Sequence, residues 1–206
     1  MKKEKTSSRK EKALETKKKI YESAEQLIRE NGFDSVTVDA IVEMASVSKG
    51  SFYVHFESKD ALVAALIYDN VKKLDLNYRT YLDSLPGDAT ASDILILLAG
   101  RIADVLARDI GIDKIRITYG VQLNMTINTG MFGYDRELYL AFREIICKGM
   151  QQGEFKSEIA ADLLANHFVM ALRGLTYEWC IRYPDFDLKD QYVKHFQILL
   201  TGIVKK

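Results

Sequence analysis

Only two prolines, Pro86 and Pro184, interrupt the 206 residues of this chain. Proline removes a backbone donor and clashes with the preceding turn, so a chain this poor in it runs readily as helices between its breaks. Glycines stand where apolar periodicity stops, at Gly32, Gly87, Gly111, Gly130, Gly133 and Gly153, which are turn and helix-end signals. The intervals are filled with Leu, Ile, Ala, Glu and Lys, all good helix formers. The pattern predicts an all-α chain of about nine helices joined by short turns. With 48% hydrophobic residues it can bury a full core and be soluble and globular.

Ile20, Ala24, Leu27 and Ile28 recur at helical spacing, and Asn31-Gly32 ends that helix. Thr37 is the expected N-cap of a short second helix whose apolar face is Val38, Ile41, Val42 and Ala45. Ser48 caps a third, Lys49 to His55, with Phe52 and Phe56 turned inward as core. Ser58 caps a long fourth helix that runs to about Ser84, ahead of Pro86-Gly87. Beyond it the spacing predicts Ala91–Asp109, Asp113–Asn128, Asp135–Gln152, Ser157–Arg182 and Leu188–Val204. This gives a basic flexible arm over residues 1–16, a three-helix helix-turn-helix domain over 17–62, and a C-terminal helical bundle over 63–206.

Twenty-nine basic and twenty-nine acidic residues cancel, but they are not evenly spread. Through Lys19 nine basic residues face three acids, a net of +6, whereas Ile20 to Leu62 holds eight acids against Arg29, Lys49 and Lys59, a net of −5. The expected arm therefore supplies much of any nonspecific attraction to nucleic acid. No apolar stretch follows the charged N-terminus as a secretory signal requires, and no run is long enough to span a bilayer, so the expected location is cytoplasmic. Cys147 and Cys180 have no metal or redox spacing and read as small buried hydrophobes. The chain has no H-E-x-x-H, no G-x-S-x-G and no phosphate-cradling glycine loop, and His55, His167 and His195 are scattered. No catalytic group, metal or cofactor is expected, and an enzyme on a helical scaffold is the remote alternative.

The residues Gly32-Phe33, Thr37-Val38-Asp39-Ala40-Ile41 and Ala45-Ser46-Val47-Ser48-Lys49-Gly50-Ser51-Phe52-Tyr53-Val54-His55-Phe56-Glu57-Ser58-Lys59-Asp60-Ala61-Leu62 resemble the N-terminal DNA-binding domain of the tetracycline-repressor (TetR) family. The resemblance spans roughly residues 17 to 65 and rests on a long ordered run rather than one short motif. Gly149-Met150-Gln151-Gln152-Gly153-Glu154-Phe155 is similar to the glycine turn many members carry between their seventh and eighth helices. At Ser46 the family usually carries glycine, because a positive φ is easier without a Cβ. Ser48, Lys49, Gly50 and Ser51 fit the start of a helix entering a major groove, where backbone approaches phosphate closely. Lys49, Ser51 and Tyr53 are the candidates for base readout, with His55 at the end of the reading surface. Lys59 is a phosphate contact by resemblance, and Thr37 a second anchor.

The resemblance implies a homodimer paired through the last two helices, reading a double-stranded, pseudopalindromic operator, as a repressor released by a small, largely apolar effector. Ile159, Leu163, Leu164, Met170, Ala171, Leu175, Val193, Phe196, Leu199, Leu200 and Ile203 offer more apolar surface than one hairpin buries, to be divided between core and dimer contact. The effector pocket is expected around Tyr119, Gln122, Met125, Phe142, Phe168, Tyr177 and Trp179, because Met and aromatic side chains suit an adaptable apolar cavity. Taken singly, most of these are ordinary core. Thr129-Gly130-Met131-Phe132-Gly133 is a candidate entrance, and the fourth helix the implied lever between domains. A ligand-independent regulator or an activator is the alternative within DNA binding.

Overall fold

The computed structural model describes residues 2–124 and 136–205. Nine α-helices are present among the described residues: α1 Lys2–Asn31, α2 Val38–Met44, α3 Lys49–His55, α4 Lys59–Asp83, α5 Ala91–Asp104, α6 Ile112–Asn124, α7 Glu137–Gln151, α8 Ala161–Arg182 and α9 Leu188–Ile203. The all-α reading holds. A π-helical stretch, Val105–Ile110, prolongs α5 up to Gly111 at φ +85°. Among the described residues the only extended pairing is one antiparallel bridge, Phe155 with Val204.

Three boundaries differ from the sequence reading. The segment expected as a flexible arm is helical from Lys2. It contains neither glycine nor proline, and four-residue spacing brings Lys19 to Glu15 at 3.0 Å and Lys18 to Glu22 at 3.7 Å, pairs that support a helix even without a core. α8 starts at Ala161 instead of Ser157, because Phe155 and Lys156 are held in the bridge to α9. α5 gives way to the wider π-helical turns before Asp109. The expected end of the sixth helix at Asn128 lies outside the described residues.

The chain divides into two compact units: residues through Asp69 with the stretch from Arg116, and Asn70–Ile115 with the C-terminal part. In the first, α1, α2 and α3 pack on one another around Ile20, Ala24, Ile28, Val36, Ile41, Phe52, Phe56 and Leu62, all buried. Phe56 joins this core through Tyr21 at 5.3 Å and Phe52 at 5.8 Å between ring centroids. The Tyr21 hydroxyl donates to Asp69 at 3.3 Å, and burial together with that carboxylate pushes the phenol up from its ordinary range.

In the second unit α5 packs on α9 and α7, α7 on α8, and α8 on α9. Phe142, Phe168 and Phe196 meet at 5.0–6.1 Å in its core. The C-terminal half of α4 is tied to α7 by a half-buried pair, Arg136 with Asp75 at 2.6 Å, and by Arg79 with Glu137 at 3.1 Å and Glu144 at 2.9 Å. Between these pairs Tyr78 is buried, and desolvation followed by the Asp75 charge raises its phenol.

The glycine turn after α7 locks this unit. Gly153 takes φ +77°, a left-handed helix end that glycine adopts without penalty. The turn brings Glu154 to the start of α5, where its carboxylate accepts from the Ala91 amide at 2.8 Å and the Ser92 amide at 2.9 Å. A carboxylate on amides that have no partner within their own helix is well placed against the helix dipole. Phe155 is fully buried beside Gly149; a Cβ on Gly149 would stand 2.4 Å from the Phe155 ring and 2.8 Å from the Ala91 Cβ. Gly149→Ala should therefore lower stability by about 1–3 kcal/mol, the usual cost of overpacking, measured by urea unfolding. An unchanged midpoint would mean that Phe155 is free to move aside.

Candidate nucleic-acid interface

α2 ends in a Schellman arrangement. The Val47 amide donates to the Val42 carbonyl at 3.0 Å and the Ser46 amide to the Glu43 carbonyl at 3.1 Å, which requires a left-handed residue between them. Ser46 fills that place at φ +53°, as the sequence reading anticipated. Thr37 caps α2 by accepting from the Ala40 amide at 3.2 Å. Ser48 caps α3 by accepting from the Ser51 amide at 3.0 Å, and the two serine hydroxyls share a hydrogen bond at 2.8 Å. The angle between the two short helices is thus set by backbone bonds and caps within the fifteen residues from Thr37 to Ser51.

The roll of α3 is set by Phe52, which has no exposed surface, while Tyr53 and Val54 are 51% and 81% exposed. Thr37, Ser48, Lys49 and Gly50 are exposed, and Ser51 and His55 are half-buried. A Cβ on Gly50 would meet only the Ser48 hydroxyl oxygen, at 3.8 Å, so nothing within the chain requires glycine there. The Lys49 ammonium pairs with Asp39 of α2 at 2.7 Å, and this hydrogen-bonded carboxylate raises its pKa. The Lys59 ammonium donates to the Phe33 carbonyl at 2.9 Å and lies 4.2 Å from the centre of the Phe33 ring. Both lysines are thus held in place, Lys59 against the α1–α2 turn. Sequence reading missed Asp39 and Phe33 as their partners; Asp39 lies ten residues from Lys49 with no periodic relation, and a carbonyl partner leaves no trace in side-chain chemistry.

Six of the seven residues expected around an effector fall among the described residues. Phe142 and Phe168 are buried in the triple-phenylalanine core, and Trp179 is buried with its ring edge-on to Tyr183 at 5.4 Å. Tyr177 is 46% exposed on α8. Tyr119 and Gln122 are half-buried on the part of α6 that belongs to the first unit. Met125 and the candidate entrance 129–133 lie outside the described residues. Among the described residues no three His, Cys, Asp or Glu side chains gather as a metal site would need, and no helix is long and apolar enough to cross a membrane.

Residues 20–66 match the family model of bacterial regulatory proteins of the tetR family, and residues 114–205 match that of the QacR-like protein C-terminal region. The chain belongs to the TetR family. It is 23% identical over 191 residues to the fatty acid metabolism regulator protein of Bacillus subtilis, covering 91% of this chain and 95% of that one. The crystal structure of the transcriptional regulator FadR from Bacillus subtilis in complex with stearoyl-CoA superposes with a TM-score of 0.74 at 20% identity, over 90% of this chain and 98% of that one. SmeT, the repressor of the Stenotrophomonas maltophilia multidrug efflux pump SmeDEF, superposes with a TM-score of 0.70 at 19% identity, over 93% of each chain. At these identities the structural likeness establishes a shared TetR fold.

Among the described residues Ser46 is the one non-glycine residue at positive φ. A left-handed non-glycine residue costs about 1–2 kcal/mol, and glycine returns part of this through its freer unfolded chain. Ser46→Gly should raise stability by about 0.5–1 kcal/mol in thermal or urea unfolding. A loss of stability would show that the serine side chain makes a compensating contact.

Proposed function

We infer that this TetR-family regulator is a homodimeric repressor that reads a pseudopalindromic operator with α3 and leaves it when a small molecule binds. The observation carrying the DNA-reading part is the two-sidedness of α3. Phe52 is wholly inward, and the opposite face offers Lys49, Gly50, Tyr53 and Val54 to solvent beside the caps Thr37 and Ser48. A glycine on an exposed helix costs up to about 1 kcal/mol against alanine, and with open space around Gly50 that cost has no internal return. Close approach of DNA backbone to the helix supplies one. Lys49, Ser51 and Tyr53 then face base edges, with Thr37 and Lys59 on phosphates.

The second copy is expected on α8 and α9. Leu163, Met170, Tyr177 and Ile181 are exposed along α8 with Gly174 among them, a spacing of three and four residues that forms one stripe. On α9 Ile198 is 66% exposed, one turn before Gly202. Glycines at both places, where an added Cβ would meet nothing, let a facing helix come close. Leu164, Phe196, Leu200 and Ile203 are inward, so the apolar residues of this hairpin do divide into two sets, and Tyr177 belongs with the outward one. Two-fold pairing would set two copies of α3 about 34–36 Å apart, one turn of DNA. Met170→Glu should convert the dimer to monomer in sedimentation equilibrium; a persistent dimer would move the interface elsewhere.

The effector is a small, largely apolar molecule. The stearoyl-CoA held by the Bacillus subtilis structure makes a long-chain acyl thioester the first probe to try. Binding that favours the form unable to reach both half-sites shifts the population off DNA, and a 5- to 150-fold loss of affinity corresponds to about 1–3 kcal/mol of coupling. DNA flanking the protein's own gene, labelled for fluorescence anisotropy with scrambled competitor, tests the reading. Specific binding should weaken by about 1–3 kcal/mol in Tyr53→Ala and again in Gly50→Ala, while Gly50→Ala keeps or gains stability. Unchanged operator affinity in both variants would remove α3 from the interface.

A further inference from the structure

α1 is much longer than the core it serves. The first buried residue among its described side chains is Ile20, yet the helix begins at Lys2. Every described side chain from Lys10 to Glu15 is exposed, so this part of the helix adds nothing to the buried core. Residues 2 to 19 carry nine basic side chains against three acidic ones and extend about 27 Å at 1.5 Å per residue. A helix polar on all sides, with no buried apolar face, is only marginally stable in water.

The root of this extension is fixed beside the reading helix. The Lys17 ammonium lies 5.1 Å from the centre of the Tyr21 ring and 5.9 Å from that of Phe56, and Phe56 is the residue that ends α3. Tyr21 is in turn hydrogen-bonded to Asp69 of α4. The extension therefore leaves the helix-turn-helix next to the C-terminal end of α3, near the exposed Tyr53 and Val54. The remainder of that domain, Ile20 to Leu62, carries a net charge of −5, which opposes approach to a polyanion.

We propose that residues 2–19 form a second DNA-binding element, a basic helix that lies along the phosphates flanking each half-site and supplies most of the ionic part of the affinity. At 3.4 Å per base pair its length matches about eight base pairs. The contact is with backbone charge and carries no sequence information. Leu14 is the single large apolar residue among the described positions before Ile20, so the helix lacks the apolar face that a membrane-surface helix buries. This inference rests on the operator-binding reading above.

The test compares the full chain with a variant carrying Lys2→Gln, Lys3→Gln, Lys5→Gln, Arg9→Gln, Lys10→Gln and Lys12→Gln, which spares Lys17 and all of α2 and α3. Operator affinity is measured from low to physiological salt, on a duplex limited to the operator and on one with about ten extra base pairs on each side. Neutralising six charges in each protomer should make the slope of log affinity against log salt shallower by at least about four, since each released phosphate contributes about 0.9. Affinity at physiological salt should fall at least tenfold, the benefit of the flanks should disappear, and the ratio of operator to scrambled affinity should stay constant. The same six positions changed to Arg should restore the slope, which separates charge from folding. An unchanged slope, or a loss of the operator-to-scrambled ratio at constant slope, would overturn the proposal. So would a variant that keeps its DNA slope but loses binding to vesicles containing phosphatidylserine. If the unaltered chain prefers no duplex, the operator-binding reading fails first and this one falls with it.

Discussion

A seven-residue helix is too short to hold its shape in water, since nucleation costs more than so few hydrogen bonds return. α3 exists because Phe52 is completely enclosed and Phe56 closes its end against Tyr21. That anchorage also decides which side chains are left over. With Phe52 inward, Lys49, Gly50, Tyr53 and Val54 face solvent, and the approach angle follows from the Schellman turn at Ser46 and the serine cap at Ser48. The face proposed to read DNA is thus a by-product of core packing. Such pre-organisation keeps the ordering cost of binding low.

The C-terminal unit uses a different device for the same end. Glu154 closes the N-terminus of α5, Phe155 fills the gap left by the missing Cβ of Gly149, and the Lys156 amide reaches the Ile203 carbonyl of α9 at 2.8 Å. One short turn thereby touches α5, α7 and α9. The buried bond between Thr176 and Tyr192 joins α8 to α9, with the Tyr192 hydroxyl also donating to the Leu172 carbonyl at 3.0 Å. With their inward faces fixed in this way, α8 and α9 keep Leu163, Met170, Tyr177, Ile181 and Ile198 exposed, the stripe proposed for a second copy.

The helix-turn-helix was legible because its signals are local. Caps at Thr37 and Ser48, the positive φ at Ser46 and the inward Phe52 and Phe56 each follow from a few adjacent residues, and α3 spans Lys49–His55 as its cap and periodicity predict. The extension of α1 was hidden because charge runs read as solvated tails, while its helix rests on propensity and four-residue ion pairs. The roles of Lys49 and Lys59 were half legible: their charge is in the sequence, but Asp39 and the Phe33 carbonyl as partners depend on how the chain folds back. For Phe142, Phe168 and Trp179 the sequence shows apolar character but not role. Aromatic residues build cores and pockets alike, and composition alone does not separate Phe142, wholly buried among other rings, from a ligand-facing side chain.

The most direct test of the central claim, that α3 is a reading element presented twice by a symmetric dimer, is selection of bound sequences from a randomised duplex pool at physiological salt. The expected result is an enriched motif of two inverted half-sites with centres about one helical turn, or a multiple of it, apart. Enrichment of a single unpaired half-site would contradict the dimer, and a pool that returns no motif despite saturable binding would contradict base reading by α3.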